Sequence, residues 1–87
     1  MLSYYIGVKD KEGFLTIDGK VGDDIFISLS KHKMPHSFVS KEHAQDAIDQ
    51  LKGKKESQTN LFYKGNEKEE EFVIFEVSNK YKVKGDS

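Results

Sequence analysis

Three histidines, His32, His36 and His43, are the side chains of this sequence best suited to chemistry. Spaced H-x3-H-x6-H, three imidazoles can hold a divalent metal and leave a coordination position open, as hydrolytic zinc centres do. Pro35 stands between the first two and keeps them off a common helical face. Nothing has the H-E-x-x-H form that sets two ligands on one face. The expectation is three surface histidines and no metal. The stretch "DGKVGDD" offers Asp18, Asp23 and Asp24. It has neither the spacing of a P-loop nor the terminal glutamate of an EF-hand, and turn-opening aspartates account for it. With no cysteine there is no thiol nucleophile, disulfide or thiolate metal site. No enzyme and no cofactor are expected.

Binding chemistry has more to build on. Lys52, Lys54 and Lys55 form one basic cluster, and Lys80, Lys82 and Lys84 alternate along one face of the last apolar run. Lysines so placed can contact phosphates while neighbouring tyrosines stack on bases, which would make a nucleic-acid-binding regulator. Against that stand 15 acidic residues to 14 basic, a net charge of −1, and the acidic tract "EKEEE". Alternating lysines also serve to keep a strand edge from aggregating. This is the second reading.

The first reading rests on aromatic side chains, and it depends on the elements that carry them. Leu2, Tyr4, Ile6 and Val8 recur with a period of two, which predicts a strand over 2–8. "DKEG" is a turn, and "FLTID" resumes the alternation. Pairing Lys9 with Phe14 brings Ile6 opposite Ile17 and Val8 opposite Leu15, so a hairpin is expected here. "GKVGDD" reads as a connection, and "DIFISL" (24–29) as a third strand with Ile25, Ile27 and Leu29 inward. Residues 30–38 show no period and read as a loop, with "SFV" as a short extended entry to the helix.

A helix follows. Ser40 is its N-cap, Glu42 suits the positive end of its dipole, and Gly53 terminates it. Ala44, Ala47, Ile48 and Leu51 make one apolar stripe at i, i+3, i+4, i+7. A helix of this length does not persist alone, so its narrow stripe must lie on a sheet. "LFYK" (61–64) and "EFVIFEVSNKYKVK" (71–84) are the remaining strands. Lys64 opposite Glu70 would pair them as a hairpin, with Phe62 facing Phe72. On the last strand the longer alternation puts Val73, Phe75, Val77, Tyr81 and Val83 inward.

The expected architecture is therefore α+β: an antiparallel sheet of about five strands, ordered β-β-β-α-β-β, with one helix on one face. Tyr5, Phe14, Phe26, Phe62, Phe72 and Ile74 fall out of phase with the core set and project from the face the helix leaves bare. Monomers rarely expose so large an apolar patch. A protein partner, or a second copy in a homodimer, is expected to bind these six.

Composition agrees with a single domain over 1–87. Hydrophobic residues are 36 % and charged residues 33 %, with six Phe and four Tyr to fill a core. The opening "MLSYYIGVKD" carries no basic leader, and its apolar run is short for a membrane segment, so a cytoplasmic location is expected. "SFVSKEHAQDAIDQL" (37–51) resembles a pattern in short accessory proteins of Gram-positive phages and prophages. There a short Phe-bearing strand leads through Ser into a helix with spaced alanines, and "YYIGVKDKEGFLTI" is similar to the strand–turn–strand before it. The resemblance covers about half of the chain and departs at Pro35-His36 and in the charged C-terminal run. It implies a phage or prophage setting, the host cytoplasm, and no catalytic residue.

Overall fold

The computed structural model describes residues 2–78 of the 87. It contains β1 (Leu2–Val8), β2 (Phe14–Val21), β3 (Asp24–Ser30), α1 (Lys41–Leu51), β4 (Asn60–Tyr63) and β5 (Phe72–Ser78). The fold is α+β in the expected order, with one helix packed on the strands. The five strands form two sheets: β1 with β5, and β2-β3-β4.

The pairings differ from those expected. β1 does not pair with β2; it runs antiparallel to β5, with Ile6 opposite Ile74 and Val8 opposite Phe72. β2 pairs instead with β3. "GKVGDD" is a tight hairpin, because Gly22 takes a left-handed φ of 60° and Val21 faces Asp24 across it. Register shifts between Ile17 and Gly19, so Asp18 sits at a bulge. β4 lies parallel to β3, with α1 as the crossover, in place of the expected β4–β5 hairpin. Alternation sets which way a residue points but not which strand it meets, and these partners satisfy it as well.

Segment 36–38 joins the two sheets. Tyr4 and Phe38 form an antiparallel bridge, with Tyr4 N–H donating to Phe38 O at 3.0 Å and Phe38 N–H to Tyr4 O at 2.8 Å. Two residues earlier, His36 N–H donates to Leu15 O at 3.1 Å. β1 and β2 stay close at their turn, where Gly13 adopts φ 96°, and this segment fills the space between their edges further along. Backbone groups that would have made the β1–β2 ladder are satisfied there instead.

The helix is capped as its sequence requires. Ser40 is extended (φ −151°) and its Oγ accepts from His43 N–H at 3.2 Å; Gly53, just past the end, takes φ 75°. Ala44 and Ile48 pack on Ile6, Val8, Leu15 and Phe72 to form the core. Burying a side chain the size of Ile6, which is fully enclosed, contributes about 1.5–3 kcal/mol.

Candidate functional site

Alternation carries rings to the face opposite α1. Ile25 and Ile27 point inward from β3, so Phe26 points out, and Leu61 and Tyr63 leave Phe62 outward on β4. Phe26 and Phe62 are register partners with centroids 5.3 Å apart and planes at 19°. They are 41 % and 49 % exposed. Across β2 the partner of Phe26 is Gly19, which has no side chain to set beside the ring.

A second group forms on β1, β2 and β5. Phe14 lies 5.3 Å from Tyr5 and 5.4 Å, edge-on, from Phe75. Gly7 is needed beneath it, since a Cβ there would come within 2.8 Å of the Phe75 ring. Between the groups runs a polar seam. Thr16 Oγ1 and Ser28 Oγ donate to Asp18, and Lys33 Nζ bonds the same carboxylate at 2.7 Å. Lys33 first, then Ser28, hold the Asp18 carboxyl below its ordinary value. The expected single patch is thus two patches.

Of the six residues expected on this face, Tyr5, Phe14, Phe26 and Phe62 are there. Phe72 and Ile74 are not: Phe72 is 9 % exposed and in the core, and Ile74 packs against it. Pairing with β1 sets this phase, because Ile6 and Val8 already face the helix and their partners must follow. Phe75, expected inside, is instead 44 % exposed on the outer face. The apolar run "FVIF" reads equally well in either phase, so only the β1 pairing distinguishes them.

β5 also has an edge turned away from β1. Lys9 N–H donates to Glu71 O, which places Phe75 and its odd-numbered neighbours in hydrogen-bonded pairs with β1. The N–H and C=O groups of Phe72, Ile74, Glu76 and Ser78 consequently point away from β1. Among the described residues no strand pairs with that edge.

The basic cluster is partly committed to structure. Lys52 Nζ donates to Glu70 O at 2.9 Å and lies 5.6 Å from the Phe72 ring centroid. Lys55 pairs with Asp46 at 2.9 Å, while Lys54 is exposed. Lys80, Lys82 and Lys84, with the expected extension of the last strand to 84, lie outside the described residues. The tract "EKEEE" has one inward member. Burial opposes the charge on Glu70, but bonds from Lys11, Tyr63 and Asn66 N–H outweigh it and hold its carboxyl below the usual range. Burial and that carboxylate together push the Tyr63 phenol well up.

The histidines stay apart in role. His43 Nδ1 is 2.9 Å from Ser40 Oγ, His36 packs edge-on against Phe38 at 4.7 Å, and His32 is exposed. Among the described residues no three metal-binding side chains converge, and no helix is long and apolar enough to cross a membrane.

Comparison with protein-family models, curated proteins and solved structures finds no match to this chain.

Proposed function

We propose that this chain is a non-enzymatic protein-interaction module, and that its partner is a second copy bound through the edge and outer face of β5. The observation that carries this is the outer edge of β5, which no described strand pairs, beside exposed Phe75. Extended edges of this kind pair readily with another strand. An antiparallel two-fold pairing that bonds Ile74 to Glu76 of the second copy is self-complementary. It sets Phe75 opposite Phe75 and Val73 opposite Val77, an apolar ladder across the outer face. Tyr5 and Phe14 flank that ladder in each copy.

The resemblance of 37–51 to phage and prophage accessory proteins supplies the setting we propose, in the host cytoplasm. Nucleic-acid binding is the weaker reading, since Lys52 and Lys55 are already engaged within the fold. The test is cross-linking across the ladder: with Val73→Cys and Val77→Cys as the chain's two cysteines and Phe75 intact, mild oxidation is expected to give a disulfide-linked dimer. Phe62→Cys, on the other patch, is expected to stay monomeric under the same conditions. Equal cross-linking of both variants, or of neither, would remove the proposal.

A further inference from the structure

α1 packs on β1, β5 and β4, and this leaves the inner face of β2 and β3 incompletely covered. The result is a cavity of about 240 Å³, bounded by Ile17, Ile25 and Ile27, by Ala47 and Leu51 of the helix, and by Leu61. These walls are aliphatic. The rim is not: His36 and Gln50 stand at it, and neither side chain hydrogen-bonds to another described residue. Thr59 also lines it, but its hydroxyl already pairs with Ser57.

Size and charge narrow what can enter. A dry cavity of about 150 Å³ accepts benzene, so this one has room for about ten non-hydrogen atoms. Burial and then the charge of Lys20, the register partner of cavity-lining Ile25, hold the His36 imidazole below its ordinary value. Asp18, on the strand that carries Lys20, is taken up by Lys33. The C-terminal end of α1 lies on the same side and would repel an anion. The carbonyls of Ile48, Asp49 and Gln50 there are occupied, however, by the N–H groups of Lys52, Gly53, Lys54 and Lys55.

We propose that the cavity between α1 and the β2-β3-β4 sheet binds a small amphiphilic monocarboxylate. Its aliphatic body lies against Ile25, Ile27 and Ala47, and its carboxylate meets Gln50 and His36 near Lys20. An eight-carbon straight-chain acid fills such a volume. The apolar body supplies most of the affinity, and the charged head fixes the orientation. This site is separate from the β5 edge and stands or falls independently of it.

The test is a titration of the full chain with sodium octanoate and, separately, with 1-octanol, followed by amide chemical shifts. Octanoate is expected to give saturable shifts at Ile25, Ile27 and Ala47 and to bind about tenfold more tightly than the alcohol. Lys20→Ala is expected to remove most of that preference. Ala47→Phe or Leu51→Phe, whichever retains the native amide spectrum, is expected to abolish the shifts by filling the space. Shifts that rise without saturating, equal binding of acid and alcohol, or binding that survives a filling substitution would each overturn the proposal. The comparison of the two ligands on the unmodified chain decides the matter even if neither filled variant folds.

Discussion

Tyr4 and Phe38 exchange both of their backbone hydrogen bonds, at 3.0 and 2.8 Å, although Phe38 belongs to a connection and not to a strand. This bridge, with the bond from His36 to Leu15, ties the β1–β5 sheet to β2-β3-β4. The Phe38 and His36 amides are therefore expected to exchange with solvent far more slowly than that of exposed Val39. Hydrogen exchange read by NMR checks this, and equal rates across 36–39 would show the two sheets to be untied.

Phe72 and Phe75 should separate cleanly by stability. Phe72→Ala empties a core position and is expected to cost about 3–5 kcal/mol. Phe75→Ala, on the outer face, is expected to cost about 1 kcal/mol or less at concentrations below those of the proposed self-association. Urea titrations measure both. The reverse order would restore the opposite phase for β5.

Glu70 makes stability depend on acid. Its native pKa lies below the unfolded value, so its contribution is complete above the unfolded pKa and is lost as pH falls through the native one. Wild type is thus expected to lose stability as pH drops from the ordinary glutamate range, around 4.3, downward. Glu70→Gln is expected to be less stable at neutral pH and to show a flatter decline. Parallel curves for the two proteins would mean that Lys11 and Asn66 do not hold the carboxylate.

Gly13, in the turn before β2, and Gly19, within β2, differ in what they require. Gly13 combines φ 96° with a Cβ position 2.6 Å from Ser30 O, whereas a Cβ at Gly19 meets nothing within 4 Å. Gly13→Ala is expected to destabilise by about 2 kcal/mol or more, through backbone strain and collision. Gly19→Ala is expected to change stability by less than about 1 kcal/mol. Thermal unfolding of the two variants makes the comparison.

What the sequence shows follows from what is local. The Ser40 cap, the stripe Ala44–Ala47–Ile48–Leu51 and the Gly53 terminator are encoded within one segment, and the helix stands where they place it. The facings of Ile6, Leu15, Ile27 and Phe62 follow from alternation along single strands. Pairing is different, because β1 with β5 and β3 with β4 join residues far apart in the chain. "FVIF" is apolar in both phases, so Phe72 turned inward and Phe75 outward only through contact with β1. The cavity was illegible for a related reason. Ile25 and Ala47 each read as core, and the gap between them depends on where α1 settles across the sheets.

The most direct test of self-association is solution mass by sedimentation at micromolar concentration. The expected result is a species of twice the chain mass that Phe75→Ser returns to monomer while Phe62→Ser leaves it intact. A monomer throughout, or a dimer indifferent to Phe75→Ser, would contradict pairing through β5.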